Sequence, residues 1–269
     1  MSNVEPPRPV IEAESMRLPA STSASTSTSA VTVSRRQPHS RRLAAEFTGT
    51  AFLLAGIVGS GIMAESLTDD AGLQLLQNTF ATAGVLVALI LALGPASGAH
   101  FNPAVTLADW AFGGIDIPTA IYYVLAQLTG GIFGVMVANI MFDLPIVDWS
   151  TKHRSGGHLV FGEGIATLGL LLVIFGVVRS GRSSVAAFSV GGYIASACYF
   201  TSSTSFANPA VTVARMFSDT FTGIEPGSAC AFIVGQLIAT AVAVHLIRLI
   251  YPSIGDVADR VIIPHDSAG

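Results

Sequence analysis

The chain has 269 residues, of which 51% are hydrophobic and 11% are charged, and its mean hydropathy is +0.63. Because an ordinary soluble domain carries about 25% charged residues, this chain lacks the polar material to cover a water-soluble surface, which indicates a membrane protein. The formal net charge of −4, without a basic stripe along the sequence, argues against a nucleic-acid partner.

The N-terminal segment, residues 1–42, is predicted to be a disordered cytoplasmic tail. The tract from Ala20 to Ala30 consists of Ala, Ser and Thr, and four arginines follow it before residue 43. Such a stretch has too little apolar surface to offset the entropy of ordering. It also lacks the apolar core of a secretory signal.

Six apolar runs follow, each close to the length of about 20 residues that a bilayer-spanning helix needs. They define a membrane domain over residues 43–252, with a first half at 43–142, a second half at 159–250 and a C-terminal cytoplasmic tail at 253–269. The predicted spans are Leu43–Ala64, Leu73–Leu93, Pro118–Phe142, Leu159–Val178, Val185–Phe200 and Ser228–Ile250.

The positions of the basic residues predict an orientation. If the N-terminus is cytoplasmic, ten arginines lie in inner loops and tails, whereas only Lys152 and Arg154 lie in outer loops. We therefore expect a multi-pass protein of the cell membrane with both termini in the cytoplasm.

An internal repeat relates the two halves. The pentapeptide Asn-Pro-Ala-Val-Thr at 102–106 recurs letter for letter at 208–212, and in each half a Glu and a Thr four residues apart open the first span. Three spans per half is an odd number, so the halves have opposite topologies, which is the inverted repeat of transporters and channels. The repeated positions are Glu46 with Thr50, Glu163 with Thr167, and Gln127 with Gln236.

The repeated pentapeptides predict two short re-entrant helices, Asn102–Phe112 and Asn208–Ser218. Asn is a strong N-cap and Pro suits the first helical position, so each helix begins at its motif, and the two positive N-termini meet near the bilayer centre. One copy would be an ordinary turn before a helix, but two copies in register favour a pore. The predicted pore constriction comprises Asn102, Pro103, Ala104, Asn208, Pro209 and Ala210.

Two acidic residues inside the spans, Glu46 and Glu163, have two interpretations. They could act as proton relays or ion ligands, because a carboxylate in a span is costly and usually functional. The interpretation we favour is that each accepts backbone N–H bonds from a re-entrant loop and braces the pore wall.

At these residues the chain resembles the major intrinsic proteins, the aquaporin and aquaglyceroporin family. The resemblance implies an all-α membrane fold of six spans and two half-helices, a passive pore in each subunit and a homotetramer without cofactor. It rests on Glu46–Thr50, Ser97–Thr106, Gln127, Glu163 and Ser205–Ala210.

One departure from the family pattern concerns the selectivity filter. Water channels of the family have an Arg directly after the second Asn-Pro-Ala, and here that position is Val211. Counting from the motifs places the other filter positions at Thr82, Ser205 and Ser196, so the filter is expected to be small, uncharged and wide. Arg215, one helical turn beyond Val211, either reaches back to the filter or lies in the outer vestibule.

Several functions fit these features. The first is a facilitator of glycerol-like polyols or of trivalent metalloid hydroxides such as arsenite, since 58–65 and 208–215 are similar to a bacterial subgroup associated with arsenic resistance; the second is a water channel. The alternatives are an ion-coupled carrier and, less favoured, a membrane enzyme. His153 and His158 have no carboxylate pair beside them, so neither a metal site nor catalysis is expected, and Cys198 and Cys230 are interpreted as packing residues.

Overall fold

The computed structural model describes residues 39–254, and these residues form eight α-helices. The parts of both predicted tails at 1–38 and 255–269 lie outside the described residues. The helices are α1 His39–Leu67, α2 Ala71–Ser97, α3 Pro103–Phe112, α4 Ile117–Met141, α5 Gly157–Arg179, α6 Ala186–Phe200, α7 Pro209–Ala214 and α8 Pro226–Ile250.

Six helical segments are long and apolar enough to cross a membrane, the fifth being α6 together with the 3₁₀ turn Ser183–Val185 before it, which confirms the six predicted spans. The largest differences are at the ends of the first two. Helix α1 begins at His39, four residues earlier than predicted, and Arg42 is buried there because its Nε donates to the Tyr123 hydroxyl at 2.8 Å. Helix α2 continues through Pro95 to Ser97 and ends at Gly98, which adopts the left-handed conformation with φ 87°.

The two remaining helices, α3 and α7, are too short to cross. Each begins with Pro at its first position, directly after an Asn N-cap in extended conformation. Helix α3 has 10 residues, whereas α7 has 6 and continues as a 3₁₀ turn from Arg215 to Phe217. The sequence therefore predicted both re-entrant helices and the residues at which they begin.

The packing of the helices follows the repeat. In the first half α1 packs on α4 and α2, and in the second half α5 packs on α8 and α6 in the same way, while α2 and α6 join the halves. Each short helix packs against both halves. Helix α3 contacts α4 of its own half and α8 of the other, and α7 contacts α8 of its own half and α4 of the other. The centre of the bundle thus depends on both halves.

The outer surface of the bundle is apolar. The most exposed large side chains include Phe80, Leu249 and Phe161, which are 81%, 72% and 70% exposed. In water such a surface would aggregate, but in a bilayer it contacts lipid or a second subunit. Polar side chains are instead buried between the helices, where they form the site described below.

Helices α1 and α4 approach closely at two glycines of α4. A Cβ atom at Gly130 or Gly134 would lie closer than 3.0 Å to the backbone carbonyl oxygen of Phe47 or Ala51. The neighbouring atom is backbone in both cases, so it cannot turn aside. Small residues at such positions let helix backbones touch within a membrane.

We expect Gly134→Val to destabilise the bundle by about 1–3 kcal/mol, because overpacking against a backbone oxygen forces the two helices apart. The measurement is the thermal denaturation midpoint of the purified protein in detergent. Gly84→Ala is the matched control, since a methyl group there meets no atom within 4 Å and its midpoint should stay the same or rise slightly. Equal midpoints for Gly134→Val and the unmodified chain would contradict this prediction.

Candidate functional site

The two motif asparagines meet at the centre of the bundle. The Nδ2 atom of Asn102 donates to the carbonyl of Ala207 at 2.8 Å, and the Nδ2 atom of Asn208 donates to the carbonyl of Phe101 at 2.8 Å. Each amide therefore bonds the residue directly before the other motif. This exchange holds the N-termini of α3 and α7 against each other.

The same side chains cap their own helices. The Oδ1 atom of Asn102 accepts from the N–H of Ala104 at 2.8 Å, and that of Asn208 accepts from Ala210 at 2.9 Å. An amide nitrogen has two N–H donors, and one of them is used between the halves. One donor on each asparagine is left to bind an oxygen atom in the cavity beside it.

The loops before both asparagines have an unusual backbone. Ala99 and Phe101 have φ of 51° and 48°, and Ser205 and Ala207 have φ of 53° and 49°. These are the third and the first residue before each asparagine, so the repeat extends to individual dihedral angles. Residues other than glycine rarely adopt positive φ, and each such residue costs about 1–3 kcal/mol, so other interactions must hold these loops.

In the first half that interaction comes from Glu46, which is completely buried. Its carboxylate accepts from the backbone N–H of His100 at 3.0 Å and of Phe101 at 2.8 Å. The Ser97 hydroxyl and the Gln127 amide also donate to it, at 2.6 and 2.8 Å. Charge-assisted bonds of this kind are about twice as strong as neutral ones.

In the second half Glu163 makes the corresponding bonds. Its carboxylate accepts from the N–H groups of Phe206 and Ala207, both at 2.8 Å, and from the Gln236 amide at 2.6 Å. Gln236 also donates to Thr212 in α7 at 2.9 Å, which ties the half-helix to the brace. The equivalent pair in the first half is Gln127 and Thr106, at 2.9 Å.

A cavity of about 320 Å³ passes the two asparagines. One wall consists of the two left-handed loops, whose carbonyl groups supply hydrogen-bond acceptors, and the remainder is largely apolar. Irregular backbone at membrane depth is tolerated where it lines such a cavity. The apolar lining includes Leu53, Ile57, Leu170, Ile174 and Val190.

Three of the residues assigned to the filter line this cavity together, namely Thr82, Ser205 and Val211. Thr82 and Ser205 are buried, and in the part of the chain that the structure describes their hydroxyl oxygens have no protein hydrogen-bond partner. A buried hydroxyl without a partner is costly. Both hydroxyls are therefore suited to bind a polar solute.

Ser196 does not line the cavity, and its assignment from the sequence was wrong. It is exposed on α6, and its hydroxyl donates to the Gly192 carbonyl at 2.9 Å. The lining stripe of α6 is Val190, Ile194 and Cys198, which recur every four residues. Ser196 lies two residues from Cys198 and hence on the opposite side of the helix.

Arg215 lies at one end of the cavity, where it is buried. Its guanidinium carbon is 3.5 Å from the centroid of the Phe206 ring, and its Nε donates to the Thr222 carbonyl. Lys152 and Arg154 line the same end. We call this end, defined by Lys152, Arg154 and Arg215, the basic mouth.

Other lining residues differ between the two halves. His100 lines the cavity at the position that Phe206 occupies in the second half. Its Nδ1 atom is 3.1 Å from the Thr106 hydroxyl, and its Nε2 atom is 3.6 Å from a carboxylate oxygen of Asp109. Over residues 39–254 no group of three or more His, Cys, Asp or Glu side chains is arranged to hold a metal ion.

The lining residues that sequence reasoning missed include Cys198, Lys152 and Arg154. Cys198 was interpreted as packing, although the four-residue spacing of its stripe could have indicated its place. Lys152 and Arg154 were counted only for orientation. No sequence period could have found these two, because loop contacts bring them to the cavity.

Known proteins resemble this chain in sequence and in fold. Residues 33–204 match the family model described as major intrinsic protein. Aquaglyceroporin AqpS of Rhizobium meliloti (strain 1021) is 47% identical over 208 residues, which are 77% of this chain and 89% of that protein. Aquaporin-5 of Sus scrofa is 32% identical over 210 residues, which are 70% of this chain and 74% of that protein.

Among solved structures, the aquaglyceroporin from Plasmodium falciparum aligns with a TM-score of 0.66 over 80% of this chain and 98% of that one. At 21% sequence identity this similarity shows a shared fold. The inverted repeat, the paired asparagines and these relatives agree. The chain belongs to the major intrinsic protein family.

We expect Glu163→Gln to lower both stability and flux. A glutamine has one acceptor oxygen in place of two, so an N–H group of the loop or the Gln236 amide would lose its acceptor, at a cost of about 1–3 kcal/mol. The measurements are the denaturation midpoint in detergent and glycerol uptake by proteoliposomes. The loop should lose its conformation, and glycerol uptake should fall about tenfold if the barrier to passage rises by about 1.4 kcal/mol.

Glu65→Gln is the matched control for this substitution. Glu65 is exposed and accepts one bond, from the Phe221 N–H at 2.8 Å, which a glutamine oxygen can also accept. Its midpoint and uptake should stay close to those of the unmodified chain. If Glu163→Gln behaved like this control, the bracing role would be refuted.

Proposed function

We propose that the chain is a passive channel that lets water and small neutral solutes of the glycerol type cross a membrane. The observation that carries this proposal is the reciprocal bonding of Asn102 and Asn208 beside a cavity. Two helix N-termini meet there, each with about half a positive charge, so a cation is repelled while a neutral hydroxyl can bind the spare amide donors.

The chemistry of the path supports a neutral solute with hydroxyl groups. Such a solute can exchange bonds with the loop carbonyls, with the asparagine amides and with the hydroxyls of Thr82 and Ser205, while its carbon face contacts the apolar wall. Selectivity in channels of this kind comes from pore diameter, polar lining and electrostatic barriers. Val211 adds neither charge nor much bulk to the filter, which favours a solute larger than water.

An ion-coupled carrier is less consistent with the geometry. Its coupling site would have to be Glu46 or Glu163, yet the carboxylates accept four and three hydrogen bonds from the protein. Neither carboxylate is part of the cavity lining. Loading an ion there would require breaking the bonds that hold the loops, so we assign both residues to bracing and the protein to transport without catalysis.

A trivalent metalloid hydroxide such as arsenite is the second candidate solute. It is neutral and carries three hydroxyl groups, so it is similar to glycerol in hydrogen bonding. The small hydroxyl-bearing filter at Thr82 and Ser205 favours it, as does the resemblance of 58–65 and 208–215 to the arsenic-associated subgroup. The cavity chemistry is the same for both solutes, so comparative flux must decide between them.

We also propose the cell membrane as the site of action, with both termini cytoplasmic and the basic mouth outside. The excess of arginines on one side supports this orientation. A homotetramer is the assembly that the family resemblance implies. Its formation is supported by the apolar helix faces and by a glycine-containing groove between α5 and α8, lined by Gly164, Ile165, Gly235 and Ile238.

We expect proteoliposomes that contain the chain to take up glycerol well above the rate of empty vesicles, and a protonophore to leave that rate unchanged. A passive pore needs no proton gradient, whereas uptake by a coupled carrier would collapse. Radiolabelled glycerol and arsenite uptake, with and without the protonophore, is the measurement. Rates equal to empty vesicles for both solutes would refute a channel for glycerol-like solutes.

We expect Val211→Arg to reduce glycerol uptake about tenfold and water permeability by much less. The added side chain narrows the filter next to Thr82 and Ser205, and a barrier of about 1.4 kcal/mol corresponds to that factor. Water remains small enough to pass. Glycerol uptake and stopped-flow shrinkage of the same vesicles give the two values.

Val211→Met is the matched control, because methionine extends the side chain without adding charge. It should reduce glycerol uptake less than the arginine does, since its flexible chain can move aside. Unchanged selectivity in Val211→Arg would show that residue 211 does not belong to the filter.

A further inference from the structure

The basic mouth brings three cations to one end of the cavity. Lys152 and Arg154 come from the loop between α4 and α5, and Arg215 comes from the end of α7. Among the residues that the structure describes, no Asp or Glu lines this cavity. The charge at the mouth is therefore positive on the side that faces the lumen.

Backbone carbonyl groups hold the three side chains in place. The Phe221 carbonyl accepts from the Lys152 ammonium at 2.8 Å and from Arg154 Nη2 at 3.1 Å, and the Gly223 carbonyl accepts from Arg154 Nε at 2.8 Å. Arg215 donates through Nε to the Thr222 carbonyl. Neutral carbonyls fix the positions of the cations without cancelling their charge.

Within residues 39–254, most of the hydrogen-bond donors of the mouth are not used by another protein group. The bonds above use one of the three donors of Lys152, two of the five of Arg154 and one of the five of Arg215. Aromatic faces stabilise the charges as well, because the guanidinium carbons of Arg154 and Arg215 lie 5.2 and 3.5 Å from the centroid of the Phe206 ring.

Acidic groups near the mouth act on its cations through space, Glu65 and Asp219 on Lys152 and Glu163 on Arg154, but their oxygens are hydrogen-bonded to other groups. Glu65 accepts from the Phe221 N–H, Asp219 accepts from Thr151, and Glu225 pairs with His153 at 2.6 Å. Glu163 lies behind the Phe206 loop, where its oxygens bind the backbone. Over residues 39–254 none of these carboxylates lies within 4.0 Å of a mouth cation as an ion pair.

The pKa values of the two loop cations, Lys152 and Arg154, are lowered by their place in the mouth. Burial, followed by the charge of Arg154, lowers the pKa of Lys152, and burial lowers the pKa of Arg154 to about 10. Arg154 stays protonated at neutral pH. A cluster of like charges at the end of a cavity, with free donors and without paired carboxylates, is arranged to receive an anion.

We propose that the basic mouth binds a small monovalent oxyanion, such as a carboxylate or a sulfonate. Two or three oxygens of such an anion can accept the free N–H groups of Lys152, Arg154 and Arg215 at once. Beyond the mouth the wall is apolar at Leu53 and Ile57 and the loop carbonyls present only acceptors, so the spare donors of the asparagines would replace only part of the hydration that an anion loses there. The anion therefore stays at the mouth and competes with neutral solutes for the cavity.

The test uses cells that express the full chain, with methanesulfonate as the external probe. Sodium and ionic strength are held constant by exchanging methanesulfonate for lactobionate, which is too bulky for the mouth. Radiolabelled glycerol uptake should fall as methanesulfonate rises, about threefold at twice its Kd by mass action. Dimethyl sulfone, an uncharged molecule of similar shape, should have no such effect.

Variants test whether the inhibition arises at the mouth. For each variant, glycerol uptake in methanesulfonate is compared with glycerol uptake in lactobionate. Lys152→Gln combined with Arg154→Gln should abolish the inhibition, Lys152→Gln alone should weaken it, and Lys152→Arg should keep it. Arg179→Gln is the matched control, because Arg179 lies at the opposite end of α5 and bonds Ser253 at 2.8 Å. It should leave the inhibition intact.

The outcomes separate this inference from the proposed function, on which its readout rests. Glycerol uptake that is clearly above that of cells without the protein but insensitive to methanesulfonate would overturn the anion site and leave the channel standing. Equal inhibition in the double variant and the unmodified chain would also overturn it. If the double variant fails to reach the membrane, Lys152→Gln and Lys152→Arg still decide, since equal inhibition in both would refute the role of the charge. Absent glycerol uptake would contradict the channel for glycerol-like solutes on which this test rests.

Discussion

The buried carboxylates of Glu46 and Glu163 are the constraint on which the centre of the molecule depends. Each binds two successive N–H groups of a loop whose backbone is held at positive φ, and this conformation delivers the following asparagine to the midpoint of the bundle. Without that charge the loop would lose the bonds that offset its strain. The asparagines could then neither cap their helices nor reach the opposite carbonyls.

The two halves have the same residues where the loops and short helices are held in place, and different residues where the cavity is lined. The two loop N–H bonds of each glutamate, the asparagine caps and the positive φ angles recur in both halves, because losing one would leave a buried polar group unpaired. The lining differs, since His100 in the first half corresponds to Phe206 in the second, and the basic side chains at the mouth are Arg215 of the second half and Lys152 and Arg154 of the loop that joins the halves. The repeated residues thus encode the architecture, and the lining is set by residues that differ between the halves or lie between them.

The sequence predicted the spans, both re-entrant helices and the bonds of the glutamates, because each depends on local chemistry that appears twice. The assignment of Ser196 failed because distance from the motif does not show which side of a helix faces the cavity. The side of α6 that lines the cavity carries Cys198 instead. Sequence reasoning anticipated Arg215 at the filter or in the outer vestibule, and it lines one end of the cavity, but the two loop cations of the basic mouth were beyond it for another reason. Lys152 reaches the cavity because its loop bonds the segment after α7, for example from Glu225 N–H to the Lys152 carbonyl at 2.9 Å, and such contacts leave no period in the sequence.

The packing of each short helix against both halves has a consequence for biogenesis. Helix α3 rests against α8, and Asn102 bonds the Ala207 carbonyl, yet the ribosome makes both partners only after more than half of the chain has emerged. Polar backbone groups at the N-terminus of α3 cannot remain exposed to lipid during that interval. Until α7 and α8 have been made, α3 can pack chiefly against α4 of its own half, so its N-terminus needs water or another polar partner in the meantime.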